Sequence, residues 1–203
     1  AAATAAAAAA TAGLAEQVLP VTRRAMNGEL DFTAALEARI ALFAGQPESL
    51  LQDALDNIVL TSGARTLVRT MRANGGRAYL VSGGFTVITG PIASACEFDG
   101  HHANQLELSG GMLTGRVLPP IIDRDSKACH LHHYCNEMAI DASAAAAIGD
   151  GSNDLAMLTG AGFGVAFRGK PTLRQQVQMQ LNHTDLTGLL YLQGYRASEF
   201  VTD

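Results

Sequence analysis

A short apolar run that stops at a cluster of glycines and acids determines much of what this chain can become. Residues 144–148 have the composition of a buried strand, and the Gly-Asp-Gly-Ser-Asn-Asp segment of residues 149–154 follows at once. The glycines allow a sharp turn, which would present Asp150 and Asp154 beyond the carboxyl edge of a sheet. Two carboxylates so placed suit a hard divalent cation such as Mg²⁺. The simpler alternative is an acidic turn in which Asn153 or Asp154 caps the next helix.

The part of the chain that follows residue 60 alternates between helical patterns and buried strands. A strand over residues 77–81 runs into a Ser-Gly-Gly turn, and a helix is expected to start at Phe85. A hairpin is predicted over residues 104–117, a strand over residues 162–167 and a closing helix over residues 185–192. Because strands that alternate with helices form parallel sheets, sites are expected at the carboxyl ends of these strands.

Residues 13–57 are predicted to be helical throughout. Asp31 is placed to cap a second helix, because its side chain can accept from the first free amides. One face of that helix carries Phe32, Leu36, Arg39, Ile40 and Phe43. A guanidinium on this apolar face must find an anion or reach water. An ordinary arginine at the edge of the face is an equally good interpretation.

The first twelve residues are ten alanines and two threonines. They favour a helix by propensity and specify nothing else. They are either a natural low-complexity segment or alanines that stand in for undefined residues. The second interpretation is preferred, because no other part of the chain is so biased.

Composition limits the classes of function. A length of 203 residues with 48% hydrophobic content supports a sizeable core, in one domain with an insertion or in two modest domains. The net charge of −5 and the absence of a Lys/Arg cluster argue against nucleic-acid or anionic-membrane partners. Three cysteines without a C-x-x-C pair favour a reducing compartment, so a cytoplasmic location is expected.

Two further features suggest that an anion binds. Residues 82–84, Ser-Gly-Gly, offer a hydroxyl and backbone N–H groups at a strand-to-helix junction, although a turn capped by Ser82 is the better interpretation of this signal alone. Lys127 opens a helix where a cation does not complement the dipole, so an external anion explains its placement better than helix stability does. A solvated surface lysine remains a good interpretation of this residue alone. With Asp150 and Asp154, these groups supply a metal site, a cation and amide donors, which are what a phosphoryl-transfer site needs to position the group and neutralise its charge.

The order of these motifs resembles motifs II, III and IV of the haloacid-dehalogenase-like phosphatases. Within that superfamily the chain resembles the phosphoserine phosphatases, over about residues 13–190. The matching segments are residues 25–32 with Arg39, residues 81–86, residues 103–106, residues 113–115 and the Asp150 motif.

The resemblance implies an α/β fold with a Rossmann-like parallel sheet core and an inserted helical cap. The cap would be residues 13–58, and the core would be residues 1–12 and 59–203. The implied activity is Mg²⁺-dependent hydrolysis of O-phospho-L-serine to L-serine and phosphate through an aspartyl-phosphate intermediate, in L-serine biosynthesis. The expected partner is this small-molecule substrate, and a homodimer is left open.

The resemblance also implies roles for individual core residues. Asp150 would be a Mg²⁺ ligand, and Asp154 would support it without touching the metal. Lys127 would bind a phosphoryl oxygen and offset the charge of the nucleophile and phosphate. Asn153 would contact the substrate or the phosphate.

A second group of implied roles concerns substrate binding. Ser82 and the Gly83 amide would hold phosphoryl oxygens. Arg39 would pair with the substrate carboxylate, for which a two-pronged guanidinium is suited. Met26 and Phe32 would shield the reaction from water.

One family feature is missing from the sequence. Motif I, D-x-D-x-[TV], supplies the nucleophilic and acid/base aspartates and would fall before residue 1, and a substrate-binding glutamate near the start of the first helix is also absent. We therefore hypothesise that this chain is an incomplete representation of an enzyme that carries motif I. The alternatives are a phosphate- or phosphoserine-binding module without catalysis, and another small-molecule phosphatase of the superfamily.

The segment Cys129-His130-Leu131-His132-His133-Tyr134-Cys135 offers a different possibility. Cys129 and His133 have the i, i+4 spacing of a helical zinc pair. No second ligand pair with finger-like spacing exists, and Leu131, Tyr134 and Met138 are expected to face inward. A structural metal is therefore not expected here.

Overall fold

The structure, a computed structural model, describes residues 13–26 and 29–202, so the alanine tract lies outside the described residues. Helices and strands alternate after an initial helical region. The helices are α1 (Ala15–Met26), α2 (Phe32–Ala41), α3 (Ser49–Asp56), α4 (Ala64–Ala73), α5 (Thr86–Cys96), α6 (Arg124–Glu137), α7 (Leu155–Gly160), α8 (Pro171–Arg174) and α9 (Gly188–Leu192). The strands are β1 (Tyr79–Phe85), β2 (Gly100–Ser109), β3 (Met112–Leu118), β4 (Ala146–Gly149), β5 (Phe163–Phe167) and β6 (Met179–Leu181).

The chain divides into two compact units. Of the described residues, the first comprises 13–26, 29–59, 82–92 and 101–123, and the second comprises 60–81, 93–100 and 124–202. These boundaries differ from the predicted cap of residues 13–58 and core of residues 1–12 and 59–203. The assignment of a cap and a core therefore stays a prediction.

The helices of the first unit share one apolar core. Asp31 caps α2 as predicted, since its Oδ1 accepts the backbone N–H of Ala34 at 2.7 Å. The predicted apolar face is buried, with Leu36 fully enclosed and Ile40 and Phe43 at 3% exposure. Burial of side chains of this size supplies most of the stability of such a unit, at roughly 1.5–3 kcal/mol each.

The predicted hairpin is present in the first unit. β2 pairs antiparallel with β3, and Leu108 lies opposite Leu113. Gly110 and Gly111 form the turn with φ values of +58° and +78°, which only glycine adopts without strain. β1 lies on the other side of β2, so the sheet order is β1-β2-β3.

The second unit contains the predicted parallel sheet. β4 pairs with β5 and β5 with β6, both in parallel, and Val165 lies opposite Ile148 and Met179. The central strand is enclosed, since Val165 and Ala166 are fully buried. Because parallel strands are covered on both faces, the short continuous apolar run of β5 is what such a strand requires. The α/β fold class predicted from the sequence is confirmed.

Two boundaries differ from the sequence predictions. β1 does not end at Val81 but continues through the Ser-Gly-Gly turn to Phe85, and α5 starts at Thr86. Local sequence marks the glycines as a turn, but long-range pairing with β2 keeps this backbone extended. The closing helix α9 starts at Gly188, three residues later than the predicted start at Asp185.

The predicted inward face of α6 is only partly enclosed. Leu131 and Tyr134 are half-buried, and the Tyr134 ring stacks on the ring of Tyr79. Met138 is half-buried as well but lies beyond the helix end. The buried residues of this helix are Lys127 and Cys135, which the apolar spacing did not single out.

Two remaining features bear on classes of function. Within residues 13–26 and 29–202, no helix is both long and apolar enough to cross a membrane. Cys96, Cys129 and Cys135 are free thiols, and burial raises the pKa of Cys96 above its ordinary value.

Candidate active site

The carboxylate of Asp154 is the centre of a buried polar cluster in the second unit. Its Oδ1 accepts a hydrogen bond from Lys127 Nζ, and its Oδ2 accepts the backbone N–H groups of Asp150 at 3.1 Å and Gly151 at 3.0 Å. Asp154 is 3% exposed and Lys127 is 7% exposed. Buried charges are tolerated when they are paired and hydrogen-bonded, and this carboxylate meets both conditions.

The backbone around β4 explains how Asp154 reaches this position. β4 ends at Gly149, and a short 3₁₀ turn over Ser152–Asp154 brings the Asp154 side chain back under the strand end. A Cβ on Gly149 would lie 2.6 Å from both Cβ and Cγ of Asp154, so a side chain at position 149 would displace the carboxylate. The carbonyl of Asp150 accepts the N–H of Lys170 at 3.0 Å, which connects the turn to the segment that follows β5.

Lys127 lies in the first turn of α6. The sequence suggested an external anion as the reason for a cation at this unfavourable end of a helix dipole. The structure shows an internal anion, because Asp154 pairs with the ammonium group. An ammonium group has three donors, so the external anion stays a prediction. The pair fixes the position of the ammonium group before any ligand arrives.

Asp150 differs sharply from Asp154. Its side chain is exposed, and no group among the described residues hydrogen-bonds to its carboxylate. Asn153 is half-buried in the 3₁₀ turn, and its side-chain amide likewise has no bonded partner among the described residues. The second unit therefore brings together a fixed ammonium group, an available carboxylate and an available amide at the end of β4.

A metal ion would find one protein ligand here. Across residues 13–26 and 29–202, no group of three or more His, Cys, Asp or Glu side chains is arranged to hold a metal, the Cys129–Cys135 segment included. The oxygen of a single free carboxylate fits Mg²⁺, which usually keeps several waters and binds through one or two carboxylates. Asp150 therefore fits as one ligand of such an ion.

Ser82 and Gly83 lie in the first unit near the end of β1. The Oγ of Ser82 accepts the backbone N–H of Gly84 at 2.9 Å. The carbonyl of Gly83 accepts from Asn104 Nδ2 at 3.0 Å, and Asn104 Oδ1 accepts the N–H of Ile122 at 2.7 Å. The sequence marked residues 103–106 only as a matching segment and gave Asn104 no role. The strand that carries Asn104 is largely polar in sequence, so no local signal singled this residue out.

Arg39 is buried in the first unit at 7% exposure, although it is charged. Its Nε donates to the carbonyl of Ala35 at 2.9 Å, and burial lowers its pKa from the ordinary value. No carboxylate forms an ion pair with it in the part of the chain that the structure describes. Phe32 is half-buried and packs against the apolar core of this unit, and the side chain of Met26 lies outside the described residues.

Comparison with known proteins decides the family. The family model for haloacid dehalogenase-like hydrolases matches residues 2–159. The chain belongs to this family. The assignment of the Asp150 turn to motif IV and of Lys127 to motif III stays a prediction from the sequence.

The individual proteins that this chain matches include several phosphoserine phosphatases. The chain is 42% identical over 191 residues to the phosphoserine phosphatase SerB2 of Mycobacterium tuberculosis, covering 94% of this chain and 47% of that protein. It is 37% identical over 179 residues to a phosphoserine phosphatase of Lactococcus lactis, and the match covers 88% of this chain and 83% of that protein. The solved structure of a phospho-aspartyl intermediate analogue of phosphoserine phosphatase superposes on this chain with a TM-score of 0.85 at 30% identity. The match covers 93% of this chain and 90% of that chain. The chain spans about half the length of the first curated relatives.

Proposed function

We propose that this haloacid dehalogenase-like hydrolase is the phosphatase part of a phosphoserine phosphatase. The reaction would be hydrolysis of O-phospho-L-serine to L-serine and phosphate. The observation that carries the proposal is the difference between the surroundings of the two acids in the Asp150 turn. Asp154 is fully occupied by Lys127 and two backbone amides, while Asp150 is exposed and free at the end of β4.

The free acid supports a metal requirement. Asp150 would hold Mg²⁺, which would supply positive charge to the phosphoryl oxygens. Lys127 would add a second positive charge that Asp154 keeps in a fixed position. Preorganised charges of this kind lower the barrier because they need no reorganisation during the reaction.

The remaining polar groups would bind the phosphoryl group. The Ser82 hydroxyl and the Gly83 amide would donate to its oxygens, and Asn153 would donate from its unengaged amide. Such donors act by holding the group in line for attack, which is most of what a phosphoryl-transfer enzyme contributes.

Arg39 supports a substrate that carries a carboxylate. A buried guanidinium with no carboxylate partner among the described residues is costly unless an anion joins it during binding. Its planar fork suits a carboxylate, which phosphoserine has and many other phosphomonoesters lack. Phe32 and Met26 would exclude water from the bound substrate.

The nucleophile would come from motif I. We propose that this motif precedes residue 13 in the full-length protein and forms the aspartyl-phosphate intermediate. In the sheet of the second unit, β4 pairs with β5 alone among the described strands, so one edge of β4 is open. An open edge leaves backbone N–H and C=O groups that an additional strand could pair with.

The test is phosphate release by the full-length gene product with Mg²⁺. We expect activity on O-phospho-L-serine, and a loss of roughly 100-fold or more in Asp150→Asn. Asp53→Asn is the matched control, since it removes an equally exposed carboxylate from α3. Unchanged Mg²⁺-dependent turnover in Asp150→Asn would overturn the proposal.

Two further arms separate the alternatives. O-Phosphoethanolamine is phosphoserine without its carboxylate, so we expect a strong preference for phosphoserine that disappears in Arg39→Met. Equal activity on both substrates would indicate a different small-molecule phosphatase. Binding of phosphoserine without release of phosphate would indicate a binding module.

A further inference from the structure

Asn104 is a fully enclosed polar side chain that has no role in the site as proposed so far. It lies on β2 at 0% exposure. Its Nδ2 donates to the carbonyl of Gly83 at 3.0 Å, and its Oδ1 accepts the N–H of Ile122 at 2.7 Å. Both bonds exist in only one orientation of the amide, because a flipped amide would face a carbonyl with oxygen and an N–H with nitrogen. Asn104 is therefore held rigidly.

The bond to Gly83 also orients the next amide along the chain. The carbonyl of Gly83 and the N–H of Gly84 belong to one planar peptide group, in which they point in opposite directions when the bond is trans. Because Asn104 holds the carbonyl, the Gly84 N–H must point away from Asn104. There it donates to Ser82 Oγ at 2.9 Å.

We propose that Asn104 is a positioning residue for the Ser82 hydroxyl, and that it acts through the peptide group between Gly83 and Gly84. The Gly84 N–H occupies an acceptor site of Ser82 Oγ, so the hydroxyl proton is left to donate to another oxygen. In the proposed function, on which this inference rests, that oxygen belongs to the phosphoryl group of the substrate.

A purely structural role for Asn104 is the competing explanation. The side chain also satisfies the buried N–H of Ile122, and loss of that bond alone would destabilise the first unit. The two explanations differ in their dependence on Ser82. A structural role costs the same whether or not Ser82 has a hydroxyl, whereas a positioning role is lost when the hydroxyl is removed.

The first measurement is a double-mutant cycle on ligand binding. Binding of O-phospho-L-serine is measured by calorimetry without Mg²⁺, so that the proposed Mg²⁺-dependent hydrolysis does not take place. The proteins are the wild type, Asn104→Leu, Ser82→Ala and the double variant, all under conditions where each is folded. We expect Asn104→Leu to weaken binding about tenfold in the wild type and less than about twofold in Ser82→Ala. An equal loss in both backgrounds would overturn the positioning role.

The second measurement does not depend on the proposed function. Hydrogen exchange of the Gly84 amide is followed by NMR in the wild type and in Asn104→Asp. A carboxylate cannot donate to the Gly83 carbonyl, but a protonated carboxyl can donate to it and still accept from Ile122. We therefore expect faster Gly84 exchange at neutral pH, corrected for intrinsic rates, and recovery of protection as the introduced carboxyl protonates. Unchanged Gly84 protection in this variant would overturn the inference.

Thr89→Val is the matched control, because it removes another hydrogen bond of the same unit, the partly buried one between the buried Thr89 side chain and His101. We expect it to leave Gly84 exchange and phosphoserine binding unchanged. If it changed both as strongly as Asn104→Asp, general loosening of the unit would explain the result and the inference would fail. If the wild type bound no phosphoserine, the proposed function would fail while Gly84 exchange still decided the role of Asn104.

Discussion

Replacement of Asp154 by asparagine isolates the contribution of one charge to the second unit. In the wild type, the N–H groups of Asp150 and Gly151 both donate to Oδ2 of Asp154. The amide oxygen of the introduced asparagine can still accept both. The other position becomes an NH₂ group that faces the ammonium group of Lys127, so a donor meets a donor. The buried charge of Lys127 then has no counter-ion.

The expected cost follows from the burial of the pair. The side chains are 9% exposed for Lys127 and 5% exposed for Asp154, so solvent screens their interaction little. Removal of one partner of a buried pair typically costs about 3–5 kcal/mol. We expect about 3 kcal/mol for Asp154→Asn, at the lower end because the long lysine side chain can shift toward water. That is a large part of the roughly 5–15 kcal/mol that stabilises a typical domain.

A second substitution separates the lost charge pair from other effects. Lys127→Met keeps the aliphatic length of the side chain and removes the charge that Asp154→Asn leaves unpaired. The double variant should therefore regain about 1–2 kcal/mol relative to Asp154→Asn alone. Asp150→Asn is the control, and it should change stability by less than about 0.5 kcal/mol because that carboxylate is exposed and unbonded.

Urea denaturation followed by circular dichroism measures all five proteins: the wild type, Asp154→Asn, Lys127→Met, the double variant and the Asp150→Asn control. A change in midpoint with an unchanged slope reports a change in stability rather than in the unfolded state. The reasoning is refuted if Asp154→Asn lies within about 0.5 kcal/mol of the wild type. It is also refuted if the double variant loses the sum of the two single losses, since that would show no coupling between the side chains.

Two further predictions concern the same unit. Gly149→Ala should lower the free energy of unfolding by more than about 2 kcal/mol, because the new Cβ would lie 2.6 Å from Asp154. The control is Gly75→Ala at an exposed position, where the φ of +82° strains an alanine but no atom crowds its Cβ. Equal losses of stability in the two variants would exclude crowding as the cause. The pKa of Asp185 is lowered by its hydrogen bonds, first from the Thr187 hydroxyl and also from Ser62. A depressed folded-state pKa adds stability that is present above the unfolded pKa and is lost as pH falls through the folded value, so Asp185→Asn should flatten the fall in stability below about pH 4 in acid titrations.

The elements that sequence patterns predicted well are those whose signals are local. The capping carboxylate of Asp31 and the apolar spacing of α2 depend on residues within a few positions of each other, and both are confirmed. The glycine turn between β2 and β3 is local as well. β1 was predicted too short because its last residues stay extended through pairing with β2, which no local signal reports.

The sequence supplied the residues proposed for the candidate site, but it did not show the bonds among them. Spacing indicated that Asp150 and Asp154 belong to one turn, yet it could not show which acid is buried. The internal partner of Lys127 was not predicted, because it lies 27 positions away in the sequence. Asn104 was missed for the same reason, since its two partners lie 21 and 18 positions away.

The two acids of one turn show how position assigns different chemistry to one residue type. Asp154 accepts three hydrogen bonds and faces a cation, so its charge is fully compensated inside the protein. Asp150 is exposed, and its carboxylate has no bonded partner in the part of the chain that the structure describes, so its charge remains available to a ligand. The backbone makes this difference: Gly149 leaves room only for the Asp154 carboxylate, and that carboxylate in turn binds the N–H of Asp150 and fixes where the free acid lies. A substitution at Asp154 should therefore weaken ligand binding through two paths, by releasing Lys127 and by freeing the backbone of Asp150, whereas a substitution at Asp150 should act through the ligand alone.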